Sequence, residues 1–394
     1  MPEVLPRSAA QWAAVAGPFA SREPAPGKVV MISDHDYRTA RRASIHQIAD
    51  AFVALGHDVS FISVRYSLLS RLKSDSRNFL RDRVNEVEVR NRVRCYLWRT
   101  LLHPFNPKIS WLNGASASLY KAYGHAPCRF LDEELRAASL IVVESGLGAT
   151  LLRRARRLNA SAKIVYRASD DLVTVGVHPC VQAQLESSAS IVDQVCVTSR
   201  KMAESFQWAG DRLFFVPHGL RKGDFRRDCA NPYRSTLNAI SVGSMLFDAE
   251  LVAHAAARFP EMSFHVIGAG RSFSAPDNVV QYPEMPFRET LPYLIHATVG
   301  LAPYRAAPNC DYLSDTSLKL LQYEFCGVPA VCPAFAAGDS PNRFAYDPAD
   351  RTSVAVAIRQ ALIHRGDIQP RRFLAWEDVA RRLLEPREFA DTAM

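Results

Sequence analysis

Short apolar runs separated by helical patterns recur along this chain in two consecutive series, and that order leaves few folds open. The first run, KVVMIS at 28–33, reads as a strand buried on both faces. It ends in a polar cluster, Asp34, His35, Asp36, Tyr37 and Arg38. A helical pattern follows, with Ile45, Ile48, Phe52 and Leu55 on one face and Gly56 at its end. The next strand is HDVSFISV at 57–64. Strand, loop, helix, strand is the opening of a parallel α/β sheet. Strands at 93–98, 140–144 (LIVVE), 163–167 (KIVYR), 194–198 (QVCVT) and 213–217 (LFFVP) extend it, and His218 and Gly219 end the half.

The second series opens with NAISV at 238–242 and the loop GSMLFD at 243–248. A helix is expected over 251–259, strands at 263–267, 279–282, 299–302 and 330–332, and helices over 291–297 and 316–325. The reading is an α/β protein of two Rossmann-like domains facing a cleft. Residues 1–218 would form the first, 219–345 the second, and 346–394 a helical segment that returns to the first half. In open α/β sheets ligands sit beyond the carboxyl ends of the strands, so the loops there carry the chemistry.

Composition removes other classes. With 394 residues, 48% hydrophobic and 22% charged, the chain is globular and large enough for two cores. It has no run of 18 apolar residues, and residues 1–26 read as a loose extension rather than a signal peptide. The eight cysteines form no CxxC pair and no zinc spacing with histidine, which fits reduced core thiols. His35, His46, His103, His218 and His265 have no metal spacing either. The net charge of +8 is concentrated: residues 65–108 carry eleven Lys/Arg against four acids. Apolar and aromatic residues interleave there. Arg65, Arg71, Lys73, Trp98 and Trp111 would therefore face an anionic membrane surface. A solvated basic face fits the same charge. No nucleic-acid signature accompanies it, so nucleic acid is not an expected partner.

Three motifs carry chemistry. In SDTSLKLLQYEFCGVPAVCP (314–333), Ser314 or Asp315 can cap a helix whose N-terminus would seat a diphosphate, with Lys319 adding a full charge. An amphipathic helix with a surface lysine fits the same pattern. In YRASDD (166–171), a carboxylate at a strand end can deprotonate a hydroxyl, or cap the next segment. In the loop Gly243, Ser244, Met245, small residues let backbone approach a ligand. Ile267, Gly268, Ala269, Gly270 resembles the start of GxGxxG, but Phe273 stands at the third glycine, which argues against a dinucleotide enzyme. No Asp-x-Asp lies at a strand end in a nucleotide-diphosphate context, so metal-independent chemistry is expected, with no cofactor.

The stretches HDYRTARRASIH (35–46), RYSLLSRLKSD (65–75), CYLWRTLLHPFN (95–106), VVESG (142–146), KIVYRASDD (163–171), VGSMLFD (242–248), FHVIGAG (264–270), LAPY (301–304) and SLKLLQYEFCGVPAVCP (317–333) resemble the xanthan-type glucuronosyltransferases, GumK-like enzymes of glycosyltransferase family 70. The resemblance implies a GT-B fold and an inverting enzyme, with 1–218 as the acceptor and membrane side and 219–345 as the donor side. Such enzymes move glucuronate from UDP-glucuronate to a mannose that ends an oligosaccharide on polyprenyl diphosphate. They work at the cytoplasmic membrane face, in exopolysaccharide synthesis. It implies that Asp170 is the general base. It also implies that Ser244, Met245, Glu284, Tyr304, Ser317, Leu318, Lys319 and Gln322 bind the UDP-sugar, with Glu284 on the ribose or uracil side and Tyr304 against the nucleotide. Asp171 stands where relatives commonly have glycine, and would raise the pKa of Asp170 by like-charge repulsion. Leu318 replaces a methionine at nearly equal volume. Arg38, Arg41 and Arg42 are candidates for the sugar carboxylate. Two other readings remain: a transferase with another donor or acceptor, and a non-catalytic binder of sugar nucleotide or lipid head group.

Overall fold

The computed structural model describes residues 25–72, 75–106, 113–369 and 371–394. Two sheets carry the molecule. In the first half the strands are β1 Lys28–Ser33, β2 Asp58–Ser67, β3 Val87–Arg90, β4 Val93–Thr100, β5 Leu140–Glu144, β6 Lys163–Ala168, β7 Gln194–Val197 and β8 Leu213–Phe215. Their order is β3-β4-β2-β1-β5-β6-β7-β8, parallel except for β3 against β4. The second half has β9 Asn238–Val242, β10 Ser263–Ile267, β11 Val279–Tyr282, β12 Val299–Leu301, β13 Ala330–Pro333 and β14 Arg343–Tyr346. Its order is β11-β10-β9-β12-β13-β14, all parallel. Strand order reverses beside β1 in one sheet and beside β9 in the other, which makes the crevice where α/β sheets bind ligands.

Val29, Val30, Met31 and Ile32 are all fully buried, because helices cover both faces of β1. Helix Ser44–Ala54 places Ile45, Ile48 and Phe52 on that sheet, as their spacing requires. Two strands had no clear signal. β3 forms an antiparallel edge with β4, and β14 extends the second sheet past β13.

The last α-helix among the described residues, Trp376–Leu384, packs on helix Ser44–Ala54 in the first half. Val379, Ala380 and Leu383 join the same buried cluster as Met31 and Phe52. Lys163 Nζ donates to Leu384 O and Glu385 Oε1, both at 2.6 Å. The return strand passes the outgoing one at the bridge Gly219 to Leu374. A Cβ on Gly219 would lie 3.0 Å from the Ala375 backbone, so glycine is what lets the two crossings touch.

The basic segment folds differently from its composition. Trp98 is 2% exposed and packs on Tyr123, so it is core rather than a membrane anchor. Arg77 is buried and donates to the carbonyls of Asp34, Val64 and Arg65. Arg94 pairs with Asp58 and Glu134. These charges tie loops and strands together instead of facing lipid. Lys73, Trp111 and the Arg71 side chain lie outside the described residues. Arg65, Arg81, Arg83, Arg90 and Arg92 stay exposed, and so do the apolar Leu68, Phe79, Leu101, Leu102 and Phe105. Ser67 pairs with Thr100 in the β2–β4 register, so Leu68 and Leu101 leave the sheet side by side at its carboxyl end. All eight cysteines are free thiols.

Candidate active site

One cavity of about 500 Å³ lies between the carboxyl ends of the two sheets. From the first half it is lined by the loops after β1 (Asp34, His35, Arg41), β5 (Glu144, Ser145, Gly146) and β6 (Ser169, Asp170). From the second it takes Gly243 and Met245 after β9, Gly268 after β10, Glu284 after β11 and Tyr304 after β12. Ser317, Leu318, Lys319 and Gln322 complete that wall.

Asp170 is held from below and from across the cleft. Ser145 Oγ accepts from the Asp170 and Ser169 N–H groups at 3.2 and 2.9 Å. Tyr312, from the second half, donates to Asp170 Oδ1 at 3.1 Å. Burial raises the Asp170 pKa, and the Glu144 charge raises it further, against the Tyr312 hydrogen bond, His35 and Arg41. Glu144 is itself buried, bonded to Ser33 and Ser169, and pushed up to about 7 by desolvation. The like charge beside Asp170 is therefore Glu144, not Asp171 as expected. The Asp171 carboxylate instead accepts from the Thr174 N–H and hydroxyl at 2.8 and 3.0 Å. It caps the turn at 172–176.

The opposite wall is a helix N-terminus. One turn, Leu313–Thr316, precedes a break at Ser317, and helix Leu318–Cys326 starts there. Ser317 is the cap, accepting from Leu320 N–H at 3.3 Å. The expected caps are engaged elsewhere: Ser314 donates to Asp311 O, and Asp315 accepts from Ser199. Gly327, at φ +73, ends the helix. Lys319 Nζ is buried with no hydrogen-bond partner and sits 4.8 Å from the centre of the Tyr304 ring. Tyr304 is 3% exposed, and its hydroxyl bonds Ser317 Oγ at 2.6 Å. Desolvation, then repulsion from Arg41, pushes Lys319 down to about 7. A buried ammonium without a partner is costly unless an anion joins it.

Residues 31–198 match the family model of the glucuronosyltransferase GumK N-terminal domain. The UDP-glucuronate:glycolipid 2-beta-glucuronosyltransferase of Xanthomonas campestris pv. campestris is 41% identical over 367 residues, spanning 93% of this chain and 91% of the relative. The chain belongs to the GumK glucuronosyltransferase family. Its fold is GT-B. A sucrose-phosphate synthase from Thermosynechococcus elongatus superposes with a TM-score of 0.59 at 15% identity, covering 91% of this chain and 94% of that one. Anabaena HepE, solved with UDP and glucose, superposes with a TM-score of 0.59 at 10% identity, covering 92% and 99%.

In this GumK-family cleft, the residues singled out from sequence gather on two facing walls. Met245, Glu284, Tyr304, Ser317, Leu318, Lys319 and Gln322 line the wall from the second half, and Asp170 the other. Ser244 reaches across, accepting from Arg41 Nη1 at 3.4 Å. Arg65, expected on the membrane side, lines the same cavity and pairs with Asp34 at 3.4 Å. Asp34, His35, Glu144 and Tyr312 were missed. Glu144 had a signal, an acid closing the apolar run LIVV. Tyr312 had none, since its partner is 142 residues away.

Proposed function

We propose that this chain transfers glucuronate from UDP-glucuronate, with inversion, to the terminal mannose of a polyprenyl-diphosphate-linked oligosaccharide in exopolysaccharide synthesis. The observation that carries the reading is one cavity with a carboxylate base on one wall and an unpaired lysine at a helix N-terminus on the other. Asp170 takes the proton of the acceptor hydroxyl. That oxygen bonds to the anomeric carbon while the bond from that carbon to the diphosphate oxygen breaks. Lys319 and the free N–H groups of helix Leu318–Cys326 take the charge on departing UDP. Base and leaving-group site face each other, so attack comes from the side opposite UDP and the product is β-linked. Tyr304 holds Lys319 and Ser317 in place, and Glu284 sits toward the nucleoside.

Arg41 takes the sugar carboxylate. Arg38 is locked on Asp36 at 2.9 Å with its side chain fully buried, and Arg42 is tied to Asp50 at 2.7 Å. Arg41 lines the cavity between the two walls, and the Ser244 hydroxyl is its hydrogen-bond partner. Arg41→Ala is expected to weaken UDP-glucuronate binding about tenfold or more, since a charged pair with geometric fit is lost. Binding of UDP alone, followed by calorimetry, should stay within about twofold. Equal loss for both ligands would place Arg41 on the diphosphate instead.

The enzyme works on the membrane surface, at the cytoplasmic face, as a peripheral protein. No helix among the described residues is long and apolar enough to cross a membrane. The exposed Leu68, Leu101, Leu102 and Phe105 would dip into the lipid interface beside the cleft. Sedimentation with anionic vesicles should decrease when Leu101 and Leu102 become Ser, and decrease further at high salt. Binding unchanged in that variant would place the membrane face elsewhere.

A further inference from the structure

Tyr312 belongs to the donor half, just ahead of Ser317 and the helix it caps. Its side chain is 1% exposed, and its hydroxyl donates to the carboxylate of Asp170 in the acceptor half at 3.1 Å. Leu313 and Thr316 of the same segment line the cavity, whereas Tyr312 does not. Two short bonds join the same two halves. Thr174 donates to Pro308 O at 2.6 Å, and Ser199 donates to Asp315 Oδ2 at 2.6 Å. Asn309 Nδ2 lies 3.5 Å from both oxygens of Asp171. Every one of these contacts has one partner in each half, so they form together when the cleft is closed and break together when it opens.

We propose that Tyr312 is a positioning residue that completes the base from across the cleft, so that Asp170 is aimed and kept ionised only while the donor half is seated against the acceptor half. The proposal rests on Asp170 being the general base. The phenol can fill this role because burial and the nearby carboxylates keep it protonated, a fixed donor. It leaves one oxygen of Asp170 for the acceptor hydroxyl. The segment that carries Tyr312 runs directly into the diphosphate-binding helix, which links donor seating to readiness of the base.

The groups facing Asp170 are Glu144 from β5, His35 and Arg41 from the loop after β1, Tyr312, and Tyr166 and Arg167 from its own strand. Burial and Glu144 push protons onto Asp170, and the Tyr312 hydroxyl opposes them. Loss of that hydroxyl raises the pKa of the base. The acidic limb of the pH–rate profile then moves to higher pH.

The test is Tyr312→Phe, which keeps the ring and its packing. We expect kcat to fall about 10- to 100-fold, the range for one hydrogen bond to a charged group. The KM for UDP-sugar should be unchanged, and the acidic limb of kcat should move up in pH. An unshifted limb, or a rise in donor KM with kcat intact, overturns the proposal. Asp170→Asn in the same assay separates the two claims. If Asp170→Asn stays active, the base assignment itself fails. If Asp170→Asn is inactive while Tyr312→Phe behaves as wild type, only the role of Tyr312 fails.

Discussion

Asp170→Asn lowers kcat by about three orders of magnitude, within the 10²- to 10⁴-fold range that a positioned general base contributes. The substitution changes charge and almost nothing else. Asparagine keeps the oxygen that accepts from Tyr312, and the backbone N–H still reaches Ser145 Oγ. Folding and donor affinity should therefore be unaffected, and the loss should appear in kcat rather than in KM. In the wild type the pH profile shows the same group. Burial and the Glu144 charge raise the pKa of Asp170, so the base is lost to protonation at a higher pH than an ordinary aspartate would be. Activity rises with pH through that limb. Glu144→Gln removes the like charge and should move the limb to lower pH, the opposite direction to Tyr312→Phe. Stopped assays across pH with a lipid-linked acceptor check both variants, and equal limbs in wild type and Glu144→Gln would contradict this electrostatic account.

Lys319→Met has the second large effect. Removing one preorganised charge from a leaving-group site costs about 10²- to 10³-fold in kcat. Two further consequences follow from the lysine's environment. Lys319 is pushed down to about 7, so free enzyme is only part-protonated near neutrality. Binding an anionic diphosphate draws a proton in, and the donor affinity of the wild type falls as pH rises above about 7. Calorimetry of UDP binding at pH 8 in buffers of different ionisation enthalpy should report net proton uptake, absent in Lys319→Met. Stability moves the other way. A folded-state pKa below the unfolded value means the unfolded chain binds more protons, so empty enzyme gains stability from Lys319 as pH rises from about 7 toward the unfolded pKa of about 10.4. Lys319→Met lacks that slope and should melt higher than wild type near pH 7 without ligand. Equal proton uptake in both proteins would show that another group carries the charge.

The two-sheet architecture was legible because parallel strands buried on both faces are continuous apolar runs, as in Val29–Ile32 and β5. β14 was not, because RFAY begins with an arginine. Arg343 is buried there because it pairs with Glu324 at 2.8 Å, 19 residues away, and donates to the carbonyls of Ser314 and Ala336. The second half's wall could be read because its residues lie on one helix and on loops directly after strands. The cap was misplaced by three residues at most, since Ser314, Asp315 and Ser317 are equal as local caps and only tertiary bonds choose among them. The basic segment was legible only in part, for a related reason. Composition counts charges but not partners, and Arg77 and Arg94 are spent on carbonyls and carboxylates inside the fold. Asp171 shows the same limit at the site, where a turn rather than its neighbour claims the carboxylate.

The most direct test of the central claim is transfer itself. Wild type and Asp170→Asn would be given UDP-glucuronate, UDP-glucose or UDP-N-acetylglucosamine with a synthetic mannose-terminated lipid acceptor, with and without EDTA. The account predicts a β-linked product from UDP-glucuronate alone, unaffected by EDTA and lost in Asp170→Asn. Transfer from another donor in its place, or an α-linked product, would contradict it.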